Sequence, residues 1–114
     1  MIKIKVENEY SKLEKVVLGI AYDFGPPPKI NDCYDPKTRL NVINNSHPVE
    51  KELTNNLDSF INVLKKYDVE VLRPQNINST NQIFARDIAF AINDKFILPN
   101  IINERKSEQH GISK

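Results

Sequence analysis

The sequence holds a single cysteine, Cys33, which has no partner for a disulfide within the chain. Its two histidines, His47 and His110, belong to no cluster with metal-ligand spacing. Neither a disulfide framework, a structural metal nor a cofactor is therefore expected. An excess of one charge is also lacking. Sixteen basic residues against fifteen acidic ones leave a formal charge of +1, so no overall field would gather nucleic acid or an anionic membrane. Long apolar runs are missing as well, none approaching the roughly 20 residues needed to span a bilayer. The opening Met1-Ile2-Lys3-Ile4-Lys5-Val6 alternates apolar and basic residues, where a secretory leader would put a basic end before an apolar run. These features point to a cytoplasmic chain with no nucleic-acid or membrane partner. Its 114 residues suffice for one small domain.

What is present divides into segments of different period. Ile2, Ile4 and Val6 fall on one side of a two-residue alternation and predict a first strand over 2–6. Lys15-Val16-Val17-Leu18-Gly19-Ile20 is a β-branched run of the kind found in strands covered on both faces. From Ala21 to His47 no period is visible, and Gly25-Pro26-Pro27-Pro28, Asn31-Asp32, Asp35-Pro36 and Asn44-Asn45-Ser46 read as a long loop, functional or mobile. A helix is predicted from Ser46 or His47, with Pro48 in its first turn and Glu50 and Glu52 near the positive end of its dipole. Leu53, Leu57, Phe60, Ile61, Leu64 and Tyr67 then recur at spacings of three and four, giving one apolar face. Val69-Glu70-Val71-Leu72-Arg73 follows as a short strand stopped by Pro74. Gln82 to Ile92 and Lys95 to Leu98 flank Asn93-Asp94 and predict a hairpin. Glu104 to Ile112 reads as a helix that begins and breaks off.

Asp87 is the residue with chemistry to explain. On a regular strand it shares a face with Ile83, Ala85, Ala89 and Ala91, whereas Phe84, Arg86, Ile88 and Phe90 face the other way. A carboxylate among small apolar residues needs a cation or several donors. Two readings are open: an ion pair with Arg86 or Arg105, or a place for a positively charged ligand.

Asn81-Gln82-Ile83-Phe84-Ala85-Arg86-Asp87, a hairpin, and then Arg105-Lys106-Ser107-Glu108 resemble the N-terminal substrate-binding motif of the amidinotransferase and arginine deiminase superfamily of guanidine-modifying enzymes. Asn8-Glu9-Tyr10 with Leu13 and Val16-Val17-Leu18-Gly19, and the helix leading into Val69 to Pro74, are similar to the way such proteins begin. The likeness runs from Asn8 to about Gly111. It implies an α/β fold: about one pseudo-repeat of a five-fold β/α-propeller (pentein), with a mixed sheet and one long amphipathic helix. The unit would be residues 1–114, the N-terminal part of an amidinotransferase-like domain, carrying its long loop at about 21–47. In such a site an aspartate at the position of Asp87 grips the substrate guanidinium through two hydrogen bonds, a geometry suited to the planar fork of donors. The resemblance also implies that Asn81 and Phe84 line the aliphatic and α-amino parts of the substrate, and that Arg105 pairs with its carboxylate.

The family's chemistry requires a cysteine nucleophile, a proton-moving histidine and a second carboxylate on the guanidinium. In the family these lie beyond the region matched here, Cys33 reads as a loop thiol and His47 as a helix-start residue, so no catalytic residue is expected in this chain. Three functions follow as expectations. The first is the opening portion of a guanidine-modifying enzyme, deiminase or amidinotransferase, inactive alone. The second is a non-catalytic binding module for arginine or a related guanidino compound. The third is an interaction protein whose open sheet edges pair with copies of itself or with a complementing C-terminal segment.

Overall fold

The computed structural model describes residues 2–113 and shows a small mixed α/β unit with two separate two-stranded sheets. Strand β1 is Lys15–Val17, and helices α1 and α2 are Pro36–Ile43 and Glu50–Lys66. Strand β2 is Glu70–Leu72, β3 is Phe90–Ile92 and β4 is Lys95–Ile97. Three 3-10 segments, Ile30–Asp32, Ala85–Asp87 and Asn103–Gly111, complete the described structure.

The α2–β2 unit follows the sequence pattern closely. Glu50 and Glu52 occupy the first turn of α2 and Lys65 and Lys66 the last, each charge complementing its end of the dipole. Pro48 lies one residue before the Val49 N-cap, outside the first turn in which it was expected. The helix ends in a Schellman arrangement. Asp68 takes a left-handed φ of 58°, its N–H donates to the Lys65 carbonyl at 3.1 Å, and the Val69 N–H donates to the Leu64 carbonyl at 3.1 Å. Leu64 and Val69 are buried on either side of this turn. The chain then enters β2, which lies parallel to β1 with Val16 opposite Val71.

Beyond Val17 the first strand continues without a full ladder. The Leu18 N–H donates to the Leu72 carbonyl at 2.9 Å and the Ile20 N–H to the Gln82 carbonyl at 3.1 Å. Arg73 clamps the same stretch, its Nε donating to the Leu18 carbonyl and its Nη2 to the Gly19 carbonyl. Gly19 is required here, because a Cβ would overlap the backbone carbonyls of Ile83 and Gln82. Ile20 and Ala21, buried at this crossing, form the core with Leu64, Val69, Ala85, Ile88 and Ala89.

Several expectations are corrected. The strand over 2–6 reduces to one bridge, Val6 opposite Asn93, because the hairpin offers that edge only at its turn. Within the supposed loop at 21–47, Pro36–Ile43 is a helix. Asp35 caps it by accepting from the Thr38 N–H at 2.7 Å, and Pro36 stands at its first positions. The strand predicted over 82–92 survives only as Phe90–Ile92, since a bridge at Gln82 and the 3-10 turn Ala85–Asp87 replace its first half. The sheet is not one mixed sheet: β1–β2 is parallel, β3–β4 antiparallel, and no ladder joins them among the described residues. The hairpin turn itself is as expected, Asn93-Asp94, with Asn93 at a φ of 51°. Residues 103–111 form a docked 3-10 stretch in place of a frayed helix start. Gln109 Nε2 donates to the Ile88 and Pro99 carbonyls, and Gln75 N–H donates to the Gly111 carbonyl.

Gln82 is 2% exposed and its side chain fastens to the segment before it, whose Gln75 N–H in turn donates to the Gly111 carbonyl of the tail. Its Oε1 accepts from the Ile77 N–H and its Nε2 donates to the Gln75 carbonyl, so both polar ends of a buried amide are satisfied. This brings residues 75–88 and the tail together. No helix among the described residues is long and apolar enough to cross a membrane.

Candidate functional site

Asn81, Phe84, Asp87 and Arg105 line one cavity of about 370 Å³, together with Tyr34, Asp35, Thr38, Ile102 and Glu108. The local backbone explains how Phe84 and Asp87 reach the same side. On the expected strand an odd separation would place them on opposite faces. The Asp87 N–H instead donates to the Phe84 carbonyl at 3.1 Å, closing a 3-10 turn in which side chains three apart eclipse. Asp87 is consequently not buried among alanines: its side chain is 40% exposed. Asn81 Oδ1 accepts from the Ile83 N–H and so fixes the approach to this turn.

Arg105 stands at the centre of the charge network. Its Nε donates to Glu108 Oε1 at 2.7 Å and its Nη2 to Glu108 Oε2 at 2.8 Å, a bidentate fork. Nη1 donates to Asp87 Oδ2 at 3.0 Å, and Nη2 also reaches the Phe84 carbonyl at 3.3 Å. Glu108 is buried, and hydrogen bonding to it holds the Arg105 pKa above its ordinary value against an opposing cost of desolvation. Arg86 Nε lies 3.4 Å from Asp87 Oδ1, but its side chain is almost fully exposed, so Arg105 is the stronger partner. Of the two readings left open for Asp87, the ion pair with Arg105 is present. It does not exhaust the carboxylate, whose oxygens accept about four hydrogen bonds in all.

A second cavity of about 320 Å³ shares Tyr34, Asp35, Thr38, Asn81 and Glu108 with the first. Cys33 and His47 both line it, which the loop reading did not suggest. Each is engaged with a neighbour of its own. The Cys33 Sγ donates to the Lys29 carbonyl at 3.3 Å, while the His47 ring stacks on Phe24 with centroids 5.9 Å apart. No hydrogen bond joins the two side chains among the described residues. Burial pushes the Tyr34 phenol above its usual range, with Arg105 opposing, and the Thr38 backbone N–H holds Asp35 below the ordinary aspartate value. No group of three or more His, Cys, Asp or Glu residues able to hold a metal is present among the described residues.

Two parts of this site escaped the sequence reading. Glu108 stood in the quoted motif without a role, although its separation of three from Arg105 is the spacing of neighbours on one helical face. Tyr34, Asp35 and Thr38 lay inside the supposed loop. Asp35-Pro36 carries a helix-start signal, a capping aspartate followed by proline, that would have placed them at an ordered terminus. The chain matches no protein-family model and none of the curated proteins compared with it.

Proposed function

We propose that this chain supplies the guanidinium-gripping wall of a substrate site in a guanidine-modifying enzyme of the amidinotransferase and arginine deiminase kind, and that it is inactive alone. The observation that carries the reading is the convergence of Asn81, Phe84, Asp87 and Arg105 on one cavity. They were singled out through the resemblance, and a regular strand would have scattered them. In this reading Asp87 grips the guanidinium with its free lone pairs and Phe84 covers the alkyl chain. Arg105, held by Glu108, braces Asp87 in position. The unit corresponds to about one pseudo-repeat of a propeller, and the nucleophile, proton-moving histidine and second carboxylate come from elsewhere. Calorimetric titration with arginine and simpler guanidino compounds tests it. Binding should be lost in an Asp87→Ala variant, and the purified chain should turn over none of them. Binding indifferent to that substitution refutes the role of Asp87, and turnover refutes the inactive reading.

A second observation favours association with another chain, either a further copy or a complementing segment. No Phe or Tyr is buried among the described residues, and Phe60, Phe90, Ile92, Phe96 and Leu98 are each at least 38% exposed. So much exposed apolar surface, beside two-stranded sheets with open edges, is what a partner would cover. Light scattering at micromolar concentration should show a dimer or larger species. A sharp monomer with fully cooperative unfolding contradicts it.

A further inference from the structure

Resting on the association proposed above, we infer that its surface is a second apolar stripe on α2, which packs antiparallel against the same stripe of a second copy about a two-fold axis near Ser59 and Phe60. Leu53, Leu57, Ile61 and Leu64 turn toward the body of the chain, Leu64 buried and the other three half-buried. On that side α2 packs chiefly against β2. Phe60, Val63 and Tyr67 follow at spacings of three and four along a line about a quarter-turn round the helix from the core-facing residues. Each of the three is at least 47% exposed. A helix that meets its own core along one line is ordinarily polar elsewhere. Here a phenylalanine, a valine and a tyrosine occupy a flank that the described residues leave open, the pattern of a face awaiting a partner.

Charge selects the occupant and its direction. Glu52 and Lys66 lie along the outer border of the stripe, one in the first turn of α2 and one in the last. Both are exposed, and neither takes part in an ion pair among the described residues. When two helices pack antiparallel about a two-fold axis, each border meets itself, and the N-terminal end of one lies beside the C-terminal end of the other. Glu52 then faces Lys66 of the second copy, and the pair occurs twice. The position midway between Glu52 and Lys66 is Ser59, next to Phe60, so the charges and the apolar stripe agree on one register. Phe60 meets its own copy near the axis, while Tyr67 lies level with the stem of Glu52 of the second copy. A parallel pairing would instead set Glu50 and Glu52 beside their copies and align the two helix dipoles.

Sedimentation velocity of the 114-residue chain tests the surface, alongside Val63→Asp, Glu52→Lys, Lys66→Glu and the double charge reversal. Expected is a reversible dimer with a dissociation constant on the order of 10 micromolar, in keeping with a small interface. Val63→Asp, at an exposed position compatible with folding, should weaken the dimer at least about tenfold. Either single reversal should weaken it about three- to tenfold, because two facing pairs become repulsive, and the double reversal should return to within about twofold of the parent. A folded monomer at every concentration up to about 100 micromolar overturns both this surface and association with a copy. A dimer indifferent to Val63→Asp and to both single reversals overturns the α2 surface and leaves association through another face, such as the exposed hairpin, standing. Should circular dichroism show Val63→Asp unfolded, the charge variants decide: weakening that the double reversal fails to restore refutes the antiparallel pairing.

Discussion

Removing the Glu108 side chain tests the network that holds the site. Glu108→Ala deletes both partners of a bidentate fork, at 2.7 and 2.8 Å, and strands part of a guanidinium whose side chain is only 18% exposed. Hydrogen bonds to charged groups contribute about 1.5–3 kcal/mol each, and losing one partner of a buried pair costs about 3–5 kcal/mol. Arg105 keeps Asp87 and the Phe84 carbonyl, so the lower end applies, about 3 kcal/mol. With a urea m-value near 1.5 kcal/mol/M for a chain of this size, the midpoint should fall by about 2 M, read by far-ultraviolet circular dichroism. The double variant Arg105→Met with Glu108→Leu removes both charges and should be less destabilised than Glu108→Ala, because no buried charge is orphaned. Asp87, released by that change, is already 40% exposed and hydrates cheaply. A Glu108→Ala loss below about 0.5 kcal/mol, the range of ordinary surface substitutions, would refute the reasoning. So would a double variant weaker than the single one.

Three further outcomes follow from the geometry. Gly19→Ala should cost on the order of 3 kcal/mol, since its Cβ meets the Ile83 and Gln82 carbonyls and must push apart the crossing of residues 19–20 with residues 82–83; hydrogen exchange at the Ile20 amide would report the opening. Asp68→Gly should raise stability by about 0.5–1 kcal/mol, because Asp68 holds a left-handed φ in the turn that ends α2; an unchanged thermal midpoint contradicts it. The cap of α1 should depend on acid. The folded Asp35 pKa lies below the ordinary 3.8, so its contribution is present above that value and is lost as pH falls through the lowered folded pKa. The Thr38 amide resonance should shift in that acid range, and an Asp35→Ala variant should lack the transition.

The sequence was most legible where one period ran long enough to be distinctive. Leu53, Leu57, Ile61 and Leu64 define α2, and the β-branched stretch at Lys15–Val17 and the Val69–Leu72 segment give the two paired strands. It failed where a tertiary contact overrode a local pattern. Residues 82–92 alternate well enough for a strand, but the Gln82 side chain is drawn inward to Gln75 and Ile77. The chain then closes a 3-10 turn at Ala85–Asp87. That change of backbone brings Phe84 and Asp87 into one cavity, a geometry the regular strand expected from the sequence did not contain. In α1 a capping signal was outweighed by the surrounding prolines and asparagines. The pairing of Asp87 with Arg105 was one of two options the sequence allowed, and the fork to Glu108 depends on how the tail docks, which no local spacing reveals.

The most direct test of the account is a backbone amide shift titration of the chain with butylguanidine. The account predicts perturbations confined to Asn81, Phe84, Asp87, Arg105 and the residues around Tyr34, abolished in a folded Asp87→Asn variant. Shifts centred elsewhere, or unaltered by that substitution, would contradict it.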